Sequence, residues 1–302
     1  MKAVFLDWAT MGPDLDISAL RALLPRLEIF DESTSEEVAE RIAGAAIVLG
    51  NKVLISESLF DAAPEMRFIG LTATGTDNVN LRAARDRGVA VANIRAYCTA
   101  SVVEHVFGSI LNLAHNLTNY GKDVRGGAWQ NATIFTLLTR PISELAGKTL
   151  GIIGYGELGR GVAGVAAAFG MEVIVAARPG THQIPEGRVA FNELLERADF
   201  ISLHCPLTDA TRGLFGADQF RAMKKTAILV NTARGALIDS QALADALHDG
   251  EIAAAAIDVL PKEPPVDGDP LLDYAGDNLI VTPHIAWATL EARQAALDEL
   301  TA

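Results

Sequence analysis

The stretch IIGYGELGRGVAGVAAAFGMEVIVAARPG, which runs from Ile152 to Gly180, decides the fold of the second half of the chain. Gly154, Gly156 and Gly159 form the pattern G-x-G-x-x-G between a short apolar run and a segment of small residues. A buried strand, a glycine turn and a helix in this order are typical of a dinucleotide-binding element, in which the N-terminus of the helix holds a pyrophosphate. The stretch therefore predicts a nucleotide site, and a glycine-rich turn without a ligand is the alternative.

The end of the second predicted strand lacks the acid that such elements usually carry. In NAD-binding elements an Asp or Glu near this point accepts hydrogen bonds from the adenosine ribose. Ala177 stands about there and is followed by Arg178. An alanine does not repel a 2′-phosphate, and a guanidinium can bind one through several donors. The pattern predicts NADP as the preferred cofactor, with NAD possible if Arg178 only stacks on the adenine.

Short apolar runs alternate with amphipathic segments along the whole chain, whose 302 residues are enough for two domains. In the first half, the runs that predict strands are AVFLD, LEIF, AAIVLG, RFIGL and VAVAN. In the second half they are KTLGIIGYG, MEVIVAA, DFISLH, TAILVN, IAAAAIDV and NLIVTPH. This alternation predicts an α/β protein with two doubly wound parallel-sheet domains.

Capping residues mark the ends of several predicted helices. Ser33 and Glu36 form a predicted capping box, and Gly44 is the stop of that helix. Ser240 and Gly250 are the predicted cap and stop of SQALADALHDG. The tail TLEARQAALDELTA predicts a final helix.

One long segment, TASVVEHVFGSILNLAHNL (Thr99–Leu117), is apolar on most of its circumference. A helix that is apolar nearly all round is buried. We predict that it connects the two α/β domains and also packs on a partner chain. The passages GKDVRGGAWQ and TLLTRPISELAG that follow it are predicted to be rich in loops.

The charge of the chain limits its partners. Lys and Arg number 25 against 38 Asp and Glu, which gives a formal net charge of -13. We therefore expect no nucleic acid and no anionic membrane surface as partners, and an anionic substrate needs a local cationic site. No apolar stretch is long enough to span a membrane, and the N-terminus MKAVFLDW lacks the apolar run of a signal peptide. We expect a cytoplasmic protein in which Cys98 and Cys205 are reduced thiols.

Three residues that suit hydride-transfer chemistry each follow a predicted strand of the second half. They are Arg234 in VNTARGALID, Glu263 in DVLPKEPP and His284 in IVTPHIAW. The carboxyl ends of parallel strands meet at one edge of a sheet, where doubly wound proteins bind ligands. Reduction of a keto acid needs a cation for the substrate oxygens and a proton donor, and a carboxylate beside a histidine favours the protonated imidazole. The three residues together predict such a site.

Other reactive patterns are missing from the sequence. No H-E-x-x-H and no pair of histidines at helical metal spacing occurs, so we predict no metal site. No G-x-S-x-G occurs, so a serine hydrolase is not predicted either. The remaining histidines are expected to be structural or exposed, and they are His105, His115, His182, His204 and His248.

Seven stretches in a fixed order give the chain a resemblance to a known family. They are TATGTDNVN, YCTASVVEHVFGSIL, ELAGKTLGIIGYGELGR, LHCPLTDATRGLFG, VNTARGALID, DVLPKEPP and VTPHIAWAT. Over nearly its whole length the chain resembles the D-2-hydroxyacid dehydrogenases. The stretches NKV (Asn51–Val53), GTDNV and HIAW resemble the glycerate dehydrogenase branch, whose members are hydroxypyruvate or glyoxylate reductases.

The resemblance implies how the domains are organised. A flavodoxin-like substrate-binding domain would comprise residues 1–98 and 286–302, and a Rossmann dinucleotide-binding domain residues 99–285. Members of the family are commonly homodimers through the long helix after Thr99 and the loops that follow it. They usually continue past the last helix, whereas this sequence stops at Ala302.

The resemblance also implies roles in catalysis. Arg234 would bind the substrate carboxylate and carbonyl, His284 would donate the proton, and Glu263 would orient and charge His284. The backbone N–H groups of Thr74 and Gly75, in the first domain, would help to hold the carboxylate. Further candidates for substrate contact are Asn51, Lys52 and Trp287, of which the last suits a core position equally well.

For the cofactor, the resemblance implies a set of contacts in the second domain. The backbone of Glu157 and Leu158, with Thr208, would face the pyrophosphate, and Asp258 would bind the nicotinamide carboxamide. The complete set is Thr99, Gly154, Gly156, Glu157, Leu158, Gly159, Arg178, Cys205, Pro206, Thr208, Thr211, Thr232, Ala233 and Asp258.

The function predicted from these features is the reversible, NAD(P)H-dependent reduction of a small 2-keto acid, hydroxypyruvate or glyoxylate, to the D-2-hydroxy acid. One alternative is a dehydrogenase for a bulkier D-2-hydroxy acid or for phosphoglycerate, although HIAW argues against the phosphoglycerate branch. The other is a dinucleotide-sensing, corepressor-like binding protein that docks partner proteins.

Overall fold

A computed structural model describes residues 1–181 and 183–302. These residues form two compact units. The first unit combines Met1–Cys98 with Trp287–Ala302, and the second is Thr99–Ala286. Each unit is built around its own parallel sheet.

The first unit contains a five-stranded sheet. Its strands are β1 (Lys2–Phe5), β2 (Leu27–Ile29), β3 (Ala45–Gly50), β4 (Phe68–Leu71) and β5 (Ala90–Asn93). All neighbouring pairs are parallel, and the order is β2-β1-β3-β4-β5. This is the order of flavodoxin-like sheets, so the predicted fold class is confirmed for this unit.

Both faces of the first sheet are covered. Val4 and Phe5 have no exposed surface, and they enter separate hydrophobic clusters because successive strand residues point to opposite faces. The cluster around Phe5 includes Leu297 of the last helix. The helices of this unit are α1 (Ser18–Leu23), α2 (Ser35–Ile42), α3 (Glu57–Ala62), α4 (Leu81–Asp86) and α12 (Leu290–Thr301), with a short 3₁₀ helix at Trp8–Met11.

The second unit contains a six-stranded parallel sheet in the order β11-β10-β9-β8-β6-β7. Its strands are β6 (Thr149–Ile153), β7 (Glu172–Val175), β8 (Phe200–Leu203), β9 (Ile228–Asn231), β10 (Ala254–Ile257) and β11 (Leu279–Val281). The chain runs from β6 out to β7 and then returns to β8 on the other side of β6. Such a switch point opens a crevice at the carboxyl ends of the strands. The predicted Rossmann fold is confirmed.

Helices flank the second sheet, and the strands between them are almost wholly apolar. The four residues of β8 and of β9 are all buried, as expected of strands covered on both faces. The helices are α5 (Thr99–His115), α6 (Leu117–Arg125), α7 (Glu157–Ala168), α8 (Phe191–Arg197), α9 (Ala217–Ala222), α10 (Ser240–His248) and α11 (Pro270–Asp273), with a 3₁₀ helix at Gly235–Leu237.

Two predicted helix caps are wrong by one residue. The capping box of α2 is formed by Thr34 and Glu37, because the hydroxyl of Ser33 donates instead to the carbonyl of Leu6. Helix α10 is capped by Asp239, whose Oδ1 accepts the N–H of Ala242 at 3.1 Å.

The predicted long helix is also corrected. It ends at His115, because Asn116 adopts a left-handed conformation with φ of 53° and a new helix, α6, begins at Leu117. Asparagine is one of the few residues that tolerate this conformation. The side chain of Asn116 donates to the carbonyl of Pro141 at 2.8 Å, and Gly121–Arg125 is helical where a loop was predicted.

Among the described residues, no helix combines the length and the apolar character needed to cross a membrane.

Candidate active site

Arg234 lies three residues after the end of β9, on a turn that the side chain of Asn231 holds through two hydrogen bonds. Asn231 is fully buried. Its Nδ2 donates to the carbonyl of Arg234 at 3.0 Å, and its Oδ1 accepts the N–H of Ala233 at 3.0 Å. Because a buried amide with satisfied bonds is held rigidly, Asn231 fixes the backbone from which the Arg234 side chain extends.

Gly235 brings the turn of Arg234 against the loop that carries Glu263. A Cβ atom at Gly235 would lie 2.0 Å from the carbonyl carbon of Leu260 and 2.4 Å from the nitrogen of Pro261. Only glycine permits this approach of two backbones. The structure thus brings together two of the turns that the sequence assigned to catalysis.

His284 and Glu263 form a direct pair. Nδ1 of His284 lies 2.6 Å from Oε2 of Glu263, and Oε1 of the same carboxylate accepts the N–H of Leu260 at 2.8 Å. The carboxylate is therefore anchored to its own loop while it contacts the imidazole.

The backbone of His284 is held in a rare conformation. Its φ is 57°, in the left-handed region that a non-glycine residue seldom adopts. Asp258 supports this turn, since its carbonyl accepts the N–H of His284 at 2.8 Å and its carboxylate accepts those of Ile285 and Ala286 at 2.9 and 2.8 Å. Strain that the surroundings maintain in this way is typical of functional sites.

Asp258 is 2% exposed, and the hydroxyl of Thr282 also donates to it at 2.6 Å. The nearby imidazole of His105 lies 3.2 Å from the Thr282 hydroxyl. The observed contacts of Asp258 thus bind the turn of His284, while its contact with a nicotinamide stays a prediction.

The glycine turn after β6 requires glycine at two positions and is open at a third. Gly154 has a φ of 96°, and a Cβ atom there would lie 2.4 Å from the nitrogen of Cys205. A Cβ atom at Gly159 would lie 2.2 Å from the carbonyl oxygen of Gly154, so this glycine lets α7 pack on the turn. Among the described residues, nothing lies within 4 Å of a Cβ atom at Gly156 and no side chain caps α7.

The backbone N–H groups of Glu157 and Leu158 therefore lie at an uncapped helix end, beside an open space and at the positive end of the helix dipole. These features fit the phosphates of a dinucleotide. The hydroxyl of Thr99 donates to the carboxylate of Glu157, so two predicted cofactor residues are in contact.

The loop after β8 carries four predicted cofactor residues. The Thr211 hydroxyl donates to the carbonyl of Pro206 at 2.8 Å and accepts the N–H of Thr208 at 2.8 Å, so its main contacts hold the loop together. Burial raises the pKa of the Cys205 thiol to about 11, which keeps it protonated at neutral pH.

Thr232 and Ala233 lie between β9 and Arg234. The hydroxyl oxygen of Thr232 is buried and has no hydrogen-bond partner among the described residues. An unsatisfied buried hydroxyl facing a predicted cofactor site is consistent with a ligand that completes it.

At the end of β7, Ala177 is buried and Arg178 is exposed. No hydrogen bond or ion pair joins the Arg178 side chain to another described residue. The position that usually holds an acid therefore contributes no negative charge.

In the first unit, the loop of Asn51 and Lys52 is organised by a buried carboxylate that the sequence did not single out. Asp7 is 5% exposed and accepts the N–H groups of Asn51, Lys52 and Val53 at 2.9, 2.6 and 3.0 Å. Asn51 is itself buried, and its Nδ2 donates to the Thr10 hydroxyl at 3.1 Å, whereas Lys52 is exposed. Of the two, Lys52 is the better placed to reach a ligand.

Thr74 and Gly75 lie in the loop after β4. Their backbone N–H groups have no acceptor among the described residues, and the Thr74 carbonyl accepts a bond from Asn93. Two adjacent N–H groups of this kind suit a carboxylate. Trp287 is half-buried and packs edge-on against Tyr97, with ring centroids 6.3 Å apart, at the margin of a hydrophobic cluster.

The other histidines differ in their surroundings. His204 is half-buried beside Ser202, its buried Nδ1 has no partner in the described part of the chain, and desolvation lowers its pKa to about 4. His248 is exposed, and His182 lies outside the described residues. No group of three or more potential ligands among the described residues is arranged to hold a metal ion.

The sequence missed Asn231, Gly235 and Asp7, which position the candidate residues without being reactive themselves. The first two stand in the stretch VNTARGALID beside Arg234, so their position in the motif was the available signal. Asp7 follows an ordinary strand by two residues and carries no such signal.

Comparison with known proteins gives consistent similarities. The family model described as D-isomer specific 2-hydroxyacid dehydrogenase, NAD binding domain, matches residues 107–286. The chain is 44% identical to a glycerate dehydrogenase of Methylorubrum extorquens, over 99% of this chain and 93% of that protein. It is 37% identical to a hydroxypyruvate reductase of Blautia hydrogenotrophica, over 99% and 94%. A solved acyclic imino acid reductase in complex with NADPH and D-Arg superposes with a TM-score of 0.85 at 27% identity, covering 99% of this chain and 94% of that one.

Proposed function

Because the chain belongs to the D-isomer specific 2-hydroxyacid dehydrogenases, we propose that it reduces hydroxypyruvate or glyoxylate reversibly to the D-2-hydroxy acid. The observation that carries this proposal is the pair of His284 and Glu263, 2.6 Å apart, with the turn of Arg234 packed against the loop of Glu263. The chain is an NAD(P)-dependent oxidoreductase of this family, and the substrate and the residue roles are the proposal.

Each of the three residues has one task in the proposed reaction. Arg234 binds the carboxylate and the carbonyl oxygen of the substrate, which orients the carbonyl and polarises it. Glu263 orients the imidazole through Nδ1 and favours its protonated form, and His284 gives a proton from Nε2 to the carbonyl oxygen. When bound, the reduced nicotinamide supplies the hydride for the carbonyl carbon.

The first unit is proposed as the substrate-binding domain. The N–H groups of Thr74 and Gly75 and the ammonium of Lys52 would bind the substrate carboxylate. Asp7 acts only indirectly, because it holds the backbone of the Asn51–Val53 loop. Trp287 and Asn51 are proposed to shape the pocket.

We propose NADP as the preferred cofactor, with NAD accepted. Ala177 offers no carboxylate to the ribose, and Arg178 is exposed and ready to pair with a 2′-phosphate. The imino acid reductase with the similar fold was solved with NADPH, which supports the use of this cofactor on the fold.

The substrate is proposed to be small because the two curated relatives described above are a glycerate dehydrogenase and a hydroxypyruvate reductase. A dehydrogenase for a bulkier acid shares the same catalytic residues and differs in rate with larger substrates. A corepressor-like sensor would bind dinucleotide without turnover.

We also propose that two copies of the chain associate as a homodimer. Large apolar side chains are exposed between α6 and β6, and they are Trp129, Ile134, Phe135, Leu138 and Ile142. Exposed apolar groups concentrated in one segment are typical of an interface.

The test is the oxidation rate of NADPH and of NADH with hydroxypyruvate, glyoxylate and phenylpyruvate. We expect the highest kcat/KM with NADPH and one of the two small acids. A higher value with phenylpyruvate would move the function to the bulkier acids, and a preference for NADH would refute the proposed cofactor. Absence of turnover with every combination of cofactor and acid would favour the alternative of a dinucleotide-sensing binding protein.

His284→Ala is the matched variant for this test. We expect it to lower kcat by about 100-fold or more, the usual contribution of a general acid, while dinucleotide binding is retained. Undiminished turnover would remove His284 from the mechanism.

A further inference from the structure

Two arginines outside the predicted cofactor set lie over the ring of one tyrosine of the glycine turn. Tyr155 stands between Gly154 and Gly156 and is half-buried. The guanidinium carbon of Arg188 lies 4.9 Å from the centroid of its ring, and that of Arg160 lies 5.7 Å from it. Both distances are within the range of a cation–π contact.

The backbone explains how Arg188 reaches the glycine turn from a distant point in the sequence. Val189 forms a parallel bridge with Ala176. Its N–H donates to the carbonyl of Val175 at 2.9 Å, and its carbonyl accepts the N–H of Ala177 at 2.8 Å. This pairing extends the edge of the sheet beyond β7 and brings Arg188 beside the strand end at which Ala177 stands.

Arg178 and Arg188 lie beside this strand end, and Arg160 contacts the same tyrosine as Arg188. Among the described residues, no carboxylate pairs with the side chain of Arg160, Arg178 or Arg188. The chain as a whole has an excess of acids, with a net charge of -13. A group of guanidinium ions without an acid partner in such a chain favours the binding of an anion, because the anion relieves their mutual repulsion.

We propose that Arg188, held on the ring of Tyr155, binds the adenosine 2′-phosphate of NADP(H) together with Arg178. Contact with the ring of Tyr155 restrains the Arg188 side chain, and the guanidinium N–H donors can bind phosphate oxygens. The half-buried position of Arg188 keeps its charge close to the glycine turn, whereas Arg160 is exposed and adds positive potential. This role of Arg188 rests on the proposed NADP preference, to which Arg188 contributes together with Arg178.

The test is equilibrium binding of two probes that differ only in the 2′-phosphate, adenosine 2′,5′-bisphosphate and adenosine 5′-monophosphate, measured by calorimetry. We expect the wild-type protein to prefer the bisphosphate. Arg188→Gln should weaken binding of the bisphosphate by about 10- to 100-fold, the range for losing a hydrogen bond between charged groups, and leave the monophosphate unchanged. Arg188→Lys, which keeps the charge, should restore part of the loss.

Arg197→Gln is the matched control, since it removes the same charge from an arginine that pairs with Glu193 and Glu172 on α8 and β7. It should bind both probes like the wild type. If the wild type binds both probes equally, the proposed NADP preference itself is wrong. If the wild type prefers the bisphosphate and Arg188→Gln retains that preference, the cofactor proposal stands and the role of Arg188 is refuted. If Arg188→Gln weakened binding of both probes equally, the role of Arg188 would also be refuted. Loss of a contact with the 2′-phosphate affects only the bisphosphate.

Discussion

The contact between Glu263 and His284 offers the most direct test of the mechanism at the scale of single residues. One oxygen of Glu263 accepts the N–H of Leu260, and the other lies 2.6 Å from the imidazole. A glutamine has the same shape but is neutral and carries only one acceptor oxygen. We expect Glu263→Gln to lower kcat for hydroxypyruvate about 100-fold, with dinucleotide binding unchanged, as measured by steady-state kinetics and calorimetry.

Lys262→Gln is the control for this variant. It stands in the same loop, and its exposed side chain pairs with Asp267, away from the imidazole pair. It should keep kcat within about twofold of the wild type, because exposed pairs contribute little. A Glu263→Gln enzyme with the turnover of the wild type would show that the carboxylate is dispensable.

The half-buried histidine that follows β8 predicts how stability depends on pH. Burial lowers the pKa of His204 to about 4, below its ordinary value of 6.5, so the folded protein holds it neutral. Between these values the unfolded chain binds the extra proton, and the free energy of unfolding therefore falls as pH drops from about 6.5 towards 4. The shift corresponds to a loss of about 3 kcal/mol over this window.

Urea unfolding at several pH values checks this expectation. His204→Gln should show a shallower decline in the free energy of unfolding over the window, whatever its stability at neutral pH. His248→Gln, at an exposed position, should decline like the wild type. A decline in His204→Gln as steep as that of the wild type would assign the effect to other groups.

At the residue scale, the sequence identified candidates for the reactive groups, and it did not identify the residues that hold their loops. Arg234, Glu263 and His284 could be named because each follows an apolar run and suits a known chemistry. Asp7 and Arg188 could not, since their importance depends on partners far away in sequence, the loop at Asn51–Val53 and the ring of Tyr155. The predicted cap at Ser33 was wrong for a similar reason. The Ser33 hydroxyl donates to the distant carbonyl of Leu6, and Thr34 caps the helix instead.

At the scale of elements, two glycines of α7 give opposite predictions. A Cβ atom at Gly159 would meet the carbonyl oxygen of Gly154 at 2.2 Å, whereas at Gly164, on the exposed side, it would meet nothing within 4 Å. Gly159→Ala should lower the free energy of unfolding by about 1–3 kcal/mol and abolish dinucleotide binding, because α7 must move away from the turn. Gly164→Ala should raise the free energy of unfolding by about 0.5–1 kcal/mol.

The measurements are urea unfolding and calorimetric titration with NADPH. Gly164→Ala is the control, since it makes the same substitution in the same helix and should bind the dinucleotide like the wild type. If Gly159→Ala were as stable as the wild type and bound NADPH normally, the close approach of α7 to the glycine turn would not matter to the site.

The elements themselves were largely predictable from the sequence, and their ends were not. Every predicted strand of the two sheets exists, because apolar runs bounded by turns and caps determine buried strands. The break between α5 and α6 at Asn116 was missed, since the apolar pattern of Thr99–Leu117 continues through it. The left-handed turn is decided instead by the hydrogen bond from Asn116 to Pro141, which is tertiary.

At the scale of the whole molecule, the exposed apolar segment before β6 is held in place by charged contacts. Arg140 binds the carboxylate of Asp123, with Nε 2.8 Å from Oδ2, and also contacts Asp277. The hydroxyl of Tyr120 donates to the carbonyl of Arg140 at 2.9 Å. A segment anchored in this way presents its apolar side chains in a fixed arrangement, as an interface requires.

A chain with a net charge of -13 repels its own copies, and the proposed homodimer therefore relies on apolar contact at this segment. We expect the protein to have twice the monomer mass of 32.0 kDa in light scattering after size exclusion. Phe135 and Leu138 are 90% and 73% exposed, and the double substitution Phe135→Asp with Leu138→Asp should give monomers, because it buries two carboxylates at the contact. Leu54→Asp changes a leucine of the first unit that is 65% exposed, and it should remain dimeric. A monomeric wild type would refute the homodimer, and a dimeric double variant would place the interface elsewhere.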